Sequence, residues 1–88
     1  MLFDYLLEYD FERPVEYLYT KIVDIDEYRY VTVTLNTKCK RISLSYVFED
    51  EEFASVMFPF QAEPNNEEEF IKWLSDETNK FIELYKNI

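Results

Sequence analysis

The fold is decided by residues 28–48, YRYVTVTLNTKCKRISLSYVF. Two runs rich in β-branched and aromatic residues, 28–35 and 39–48, predict two strands. Apolar and polar residues alternate in both runs, so each strand presents one apolar face. Because residues 36–38 turn the chain and Asn36 suits a tight turn, we expect an antiparallel hairpin. The side chains expected to face the core are Val31, Val33, Leu35, Ile42, Leu44, Tyr46 and Phe48.

Further strands are predicted on both sides of this hairpin. Residues 16–25 have strand composition, and Asp26-Glu27 forms the expected turn into residue 28. Residues 53–60, FASVMFPF, fit either a helix or an edge strand. Pro59 is tolerated in a sheet only at an edge, and we favour the strand.

Helical patterns are found at both ends of the chain. Residues 2–12 predict a short amphipathic helix, which Pro14 ends. Asn66 with Glu69 three residues later predicts the start of a long helix. We therefore expect an α+β fold: a short N-terminal helix, a three- or four-stranded antiparallel β-meander, and a long C-terminal helix packed on one sheet face. The apolar stripe of the long helix is Phe70, Leu74, Phe81, Tyr85 and Ile88.

Length and composition predict one compact domain, residues 1–88, in the cytoplasm. Hydrophobic residues make up 48% of the chain, which is too apolar for a disordered acidic tail. The lone Cys39 excludes an internal disulfide and fits a reducing compartment. No apolar run approaches the length of a membrane span, and the N-terminus lacks the pattern of a signal peptide.

Charge is the strongest functional clue. The chain has 19 Asp and Glu against 9 Lys and Arg, a formal net charge of −10. This surface would repel phosphates, so direct binding of DNA, RNA or an anionic membrane is not expected. Spread evenly over an expected surface of about 5,500 Å², the net charge is roughly one per 550 Å². Duplex DNA has about one per 100 Å², so imitation of DNA requires that the acids cluster.

Catalytic and metal-binding patterns are not found in the sequence. The chain has no His and no Gly, which leaves Cys39 without an imidazole base and excludes a glycine-rich phosphate loop. Asp24, Asp26 and Glu27 offer oxygen ligands, but an EF-hand would need Glu at the position of Leu35. We expect no enzyme activity, no cofactor and no metal site.

The acids fall into four groups along the chain, in segments 8–16, 24–27, 49–52 and 63–69. Turns and a helix N-terminus explain the last three groups structurally, whereas Glu8 and Glu12 form an unfavourable like-charge pair. Tyr residues beside carboxylates suit an Arg-rich partner. The predicted partner-binding residues are Glu8, Asp10, Glu12, Tyr28, Tyr30, Glu49, Asp50, Glu51 and Glu52.

The favoured hypothesis is a small acidic inhibitor that imitates DNA or RNA. It would occupy the basic, nucleic-acid-binding site of a host protein by steric occlusion. A bias toward amino acids with AT-rich codons indicates a low-GC genome, and a phage anti-defence or host-takeover factor fits it. One alternative is an immunity protein or antitoxin that neutralises a basic toxin. Another is a homo-oligomeric accessory subunit, such as a homodimer, with no role related to nucleic acid.

Overall fold

The computed structural model describes residues 2–87. These residues form a short 3-10 helix, five strands and one α-helix. In chain order the elements are the 3-10 helix Asp4–Tyr9, β1 Glu12–Val15, β2 Leu18–Asp24, β3 Arg29–Asn36, β4 Arg41–Phe48, β5 Glu51–Pro59 and α1 Glu67–Tyr85.

The five strands form one antiparallel meander in the order β1-β2-β3-β4-β5. The predicted hairpin of β3 and β4 is confirmed, with Val33 opposite Leu44 and Leu35 opposite Ile42. These four side chains are buried. Alternation along the two central strands therefore specified both the pairing and the buried face.

The prediction of three or four strands was wrong because β1 was missed. The sequence predicted a helix that includes Glu12 and is ended by Pro14. Instead, residues 12–15 form a strand that pairs with β2 at the sheet edge. The pairing is irregular between Glu12 and Val15. Pro14 is compatible with this position because an edge strand leaves one row of N–H groups without a ladder partner.

The N-terminal helix is shorter and tighter than predicted. It spans Asp4–Tyr9 in the 3-10 form, rather than residues 2–12 as an α-helix. Asp10 ends it with a φ of 69° and donates its backbone N–H to the Leu6 carbonyl oxygen. Left-handed backbone of this kind stops a helix, and Asp tolerates it better than most residues.

The favoured edge strand at residues 53–60 is confirmed as β5, which begins earlier than predicted. Glu51 and Glu52 already pair with Phe48 and Val47. Only Glu49 and Asp50 therefore form the turn between β4 and β5. The pairing shifts register between Tyr46 and Val47, which marks a β-bulge next to this turn.

The C-terminal helix starts as predicted, because the Asn66 side chain accepts a 3.3 Å hydrogen bond from the Glu69 backbone N–H. Phe70, Leu74 and Phe81 share one core cluster with the buried side chains of β2, β3 and β4. Leu84, an apolar residue in the last turn of α1 that is not part of this stripe, is 71% exposed. The predicted stripe residue Ile88 lies outside the described residues.

Two tyrosine hydroxyls attach the N-terminal segment to the rest of the fold. Tyr19 donates a 2.8 Å hydrogen bond to an Asp4 carboxylate oxygen, which holds the pKa of Asp4 below its usual value. Tyr5 donates a 2.6 Å hydrogen bond to the Pro64 carbonyl oxygen. Burial raises the pKa of Tyr5 to about 12, because the charged phenolate is disfavoured away from water.

Candidate functional site

The meander brings two acidic turns together at one end of the sheet. The β2–β3 turn and the β4–β5 turn lie side by side, since Arg29 pairs with Phe48 where β3 and β4 meet them. The Glu49 backbone N–H donates a 2.9 Å hydrogen bond to the Tyr28 carbonyl oxygen, which links the turns directly. We call this surface the acidic end, and its carboxylates are Asp24, Asp26, Glu27, Glu49, Asp50, Glu51 and Glu52.

More than half of the chain's net charge is located at the acidic end. Segments 24–29 and 49–52 contain seven carboxylates and one cation, Arg29, a net charge of −6. The other residues of the chain carry 12 carboxylates and 8 cations, a net charge of −4. The negative charge is therefore unevenly distributed over the folded surface of 5863 Å².

The local charge density approaches that of a nucleic acid. The acidic end extends from β2 to β5, three strand spacings or about 15 Å. Duplex DNA carries roughly nine phosphates over the same length. Six net charges on the acidic end are about two-thirds of that number, whereas the net charge of −10 over the 37 Å length of the whole protein is nearly half of the roughly 22 phosphates that DNA carries over that length.

Asp26 has a structural role within the acidic end. One carboxylate oxygen accepts hydrogen bonds of 3.0 Å from the backbone N–H groups of both Tyr28 and Arg29. The other accepts from the Arg29 guanidinium at 2.7 Å and 2.6 Å. These hydrogen bonds, led by the one from the guanidinium, lower the pKa of Asp26 below its usual value. Asp26 thus holds the turn, and its charge is offset by Arg29.

Arg29 also connects the acidic end to the C-terminal helix. Its guanidinium donates a hydrogen bond to the Lys86 carbonyl oxygen, just after the last turn of α1. The hydrogen bond to Asp26, with a smaller contribution from the nearby Tyr46, raises the pKa of Arg29. A planar, multidentate guanidinium is suited to this dual role, which a lysine ammonium would not reproduce.

The β4–β5 turn places two acids in an unfavourable backbone conformation. Glu49 and Asp50 have φ values of 49° and 65°. Two successive positive φ values in a two-residue hairpin loop define a type I′ turn, which Asn-Gly fills best. Glu has no such preference, so these two carboxylates are retained at a cost in backbone energy.

Exposed aromatic rings lie among the carboxylates. Of the two tyrosines in the predicted partner-binding set, Tyr28 is 58% exposed in the β2–β3 turn, whereas Tyr30 is half-buried. Phe53 is 61% exposed beside the β-bulge, with its ring 5.8 Å from that of Phe48. Sequence analysis did not select Phe53, because the bulge that displaces it leaves no pattern in the sequence.

The predicted site residues Glu8, Asp10 and Glu12 lie elsewhere. All three are exposed, in or near the 3-10 helix and β1. Because β1 and β5 are opposite edges of the sheet, Glu12 and Glu52 are separated by at least four strand spacings, about 19 Å. The predicted partner-binding set therefore divides into the acidic end and a separate N-terminal group.

Other sites for chemistry are limited in the part of the chain that the structure describes. Residues 2–87 contain no group of three or more potential metal ligands. A cleft of about 180 Å³ between β2 and α1 has Lys21 and Thr78 in its lining, but no carboxylate. Cys39 is an exposed free thiol in the β3–β4 turn.

Comparisons with known proteins give no family assignment. No protein-family model, curated protein or solved structure matches the chain. Among the helices formed by residues 2–87, none combines the length and apolar character needed to cross a bilayer. A functional proposal therefore depends on the geometry and charge of the acidic end.

Proposed function

We propose that this protein binds a cationic, nucleic-acid-binding site of another protein through its acidic end, and inhibits that protein by steric occlusion. The observation that supports the proposal is the concentration of charge: segments 24–29 and 49–52 carry a net charge of −6 out of −10. The proposal assumes that α1 covers one sheet face, which leaves the sheet end with its two turns free to dock.

Carboxylates would take the place of phosphates in the partner's site. Each carboxylate that pairs with a Lys or Arg of the partner releases the counterions held there, as a phosphate does. A single strongly negative end also orients the protein as it approaches a cationic surface, which increases the association rate. Binding of this kind weakens as salt rises, because added ions screen the charges.

The individual residues have different roles in the proposed contact. Asp24, Glu27, Glu49 and Asp50 are exposed carboxylates for which the structure gives no ion pair, so their charges are available to a partner. Asp26 is excluded from this set because Arg29 already neutralises it.

Aromatic anchors accompany the charges in the proposal. Tyr28 and Phe53 would pack against the partner's Arg and Lys side chains, since the face of an aromatic ring attracts cations. Their exposed fractions of 58% and 61% leave most of each ring accessible. Tyr and Arg are also enriched among the residues that dominate binding energy at interfaces.

Two charge variants test the proposal. The acidic-end variant carries Asp24→Asn, Glu27→Gln, Glu49→Gln and Asp50→Asn. The matched control variant carries Glu8→Gln, Glu16→Gln, Glu63→Gln and Glu68→Gln. Each variant removes four exposed carboxylates, so both have the same net charge.

The measurement is affinity capture from lysate at low and high salt, with duplex DNA and RNA added as competitors. We expect proteins that bind the wild type at low salt, are displaced by nucleic acid, and bind the matched control variant but not the acidic-end variant. The proposal would be contradicted if both variants captured the same proteins equally, or if nucleic acid displaced none of the captured proteins. A captured toxin would instead support the immunity-protein hypothesis.

A further inference from the structure

We infer that the outer edge of β5 pairs with the β5 edge of a second copy of this chain, forming an antiparallel, two-fold symmetric dimer with a continuous sheet. This inference does not rest on the proposed function, although Phe53 belongs to both surfaces. It depends on the contrast between the two edges of the sheet.

The β5 strand has the composition of an interior strand. Residues 53–62, FASVMFPFQA, are the longest uncharged run in the chain, longer than the runs 30–37 and 42–48 of the two central strands. Yet β5 is the last strand of the sheet, and seven of its nine residues are exposed. A long uncharged segment at a sheet edge presents unpaired N–H and C=O groups that can pair with another chain.

In β5 the protective features lie only at the two ends, with Glu51, Glu52 and the β-bulge at its start and Pro59 at its end, which leaves the uncharged residues 54–58 regularly paired with β4. The opposite edge is protected along its whole length. The β1 strand has only four residues, Glu12–Val15, and two of them are charged. It contains Pro14, and its pairing with β2 is irregular. Short length, charge, proline and irregular pairing are the means by which natural sheets block an edge.

Each chain has one sheet edge that is open to pairing, the β5 edge, and this limits which strand can pair with it. If β5 paired with β1 of the next molecule, assembly would continue without limit, but β1 is blocked. Pairing of β5 with β5 uses the same surface twice and therefore stops at two copies. Every copy of the chain presents the same uncharged segment, residues 53–62.

Charge favours the antiparallel arrangement. With the two-fold axis near Val56, Glu52 of one copy and Glu52 of the other are eight residues apart along the ladder, about 27 Å. This separation exceeds the screening length of about 8–10 Å at physiological salt, so the acidic ends barely repel each other. Parallel pairing in register would instead place the four glutamates side by side.

The expected dimer is weak. Strand pairing with a few flanking side chains buries less than the roughly 1,600 Å² of a standard interface. We therefore expect a dissociation constant in the micromolar range. The exposed side chains that would be covered include Val56 and Met57, which are 39% and 65% exposed.

Sedimentation velocity between about 5 and 500 µM tests the inference, over the concentration range in which a micromolar dimer dissociates. Val56→Lys places like charges opposite each other at the axis and should abolish the dimer. Val15→Lys is the matched control: it makes the same substitution at a residue 45% exposed on the other edge, and should leave the dimer intact.

Three results would overturn the inference: a wild-type protein that stays monomeric over the whole range, a dimer that survives Val56→Lys, or a dimer that is lost in Val15→Lys alone. Circular dichroism checks that both variants fold. If Val56→Lys does not fold, hydrogen exchange of the wild-type protein tests the inference instead. Amides of β5 should exchange more slowly as concentration rises, and exchange that does not depend on concentration would overturn the inference.

Discussion

The Glu49 backbone N–H donates a 2.9 Å hydrogen bond to the Tyr28 carbonyl oxygen, and this bond joins the two acidic turns of the sheet. The residues are 21 positions apart in the sequence. A meander makes them neighbours because alternate turns fall at the same end of an antiparallel sheet. The surface on which the functional proposal depends is thus a consequence of topology as much as of composition.

We predict that Glu49→Asn with Asp50→Gly stabilises the protein by about 1–2 kcal/mol. Asn and Gly adopt the positive φ values of this turn without the steric cost that Glu and Asp incur. Urea unfolding measures the change. The control is Glu49→Gln with Asp50→Ser, which removes the same charges without favouring positive φ. An equal gain in both proteins would attribute the effect to charge repulsion and contradict the prediction.

We predict that Arg29→Lys lowers the Tm by several degrees. A lysine ammonium cannot bond Asp26 through two nitrogens and also reach the Lys86 carbonyl oxygen. Thermal unfolding followed by circular dichroism measures the loss. Lys72→Met serves as the control, because its ion pair with Asp76 is exposed and should contribute little. An unchanged Tm in Arg29→Lys would show that Arg29 does not hold the acidic end in place.

We predict that Asp26 makes the protein sensitive to acid. Its folded pKa lies below 3.8, the ordinary value for an aspartate, so the carboxylate contributes stability above that pH. The contribution is lost as the pH falls through the folded pKa. Asp26→Asn should therefore be less stable than the wild type at neutral pH and should lose less stability on acidification. The free energy of unfolding of both proteins is measured against pH. Curves that fall in parallel on acidification would contradict this prediction.

We predict that Tyr5 makes the protein sensitive to alkali. Its pKa rises from 10.0 to about 12 in the folded state, so the contribution to stability is complete below pH 10.0 and is lost as the pH rises through about 12. Tyr5→Phe removes both the ionisation and the hydrogen bond to the Pro64 carbonyl oxygen. The variant should lose less stability than the wild type in this pH window. The free energy of unfolding, measured at several alkaline pH values, tests it.

The strands that carry a strong alternating pattern could be predicted from the sequence. Val31, Val33 and Leu35 define a buried face with period two, and β4 repeats the pattern, so both strands and their pairing follow. The Asn66 cap fixed the start of α1 for a similarly local reason, since its side chain bonds within the same turn. Local chemistry is readable when the interacting residues are close in the sequence.

The edge strand β1 could not be predicted in this way. Its four residues are too few for a periodic signal, and Pro14 argues against a strand anywhere but an edge. Contacts with other parts of the chain support it, including the 3.6 Å ion pair of the Arg13 guanidinium with Asp4 and its position 5.6 Å from the centre of the Tyr19 ring. Such contacts depend on the folded geometry.

The candidate site was predictable in part. Segment 49–52 was selected from its charge, but Asp24, Asp26 and Glu27 were explained as turn residues and left out of the predicted set, although the meander places the two turns at one end of the sheet. The N-terminal acids were grouped with segment 49–52 because nothing in the sequence shows that β1 lies at the far edge. Phe53 was missed because its exposure arises from the β-bulge next to Val47.

The most direct measurement is a competition titration on a protein captured by the wild type. A fluorescent duplex DNA or RNA is bound to the captured protein, and the anisotropy is followed as this protein is added. We expect the wild type and the matched control variant to displace the nucleic acid equally, and the acidic-end variant to need at least about tenfold more protein. Equal displacement by all three proteins, or none by the wild type, would contradict the proposal that the acidic end occupies a nucleic-acid-binding site.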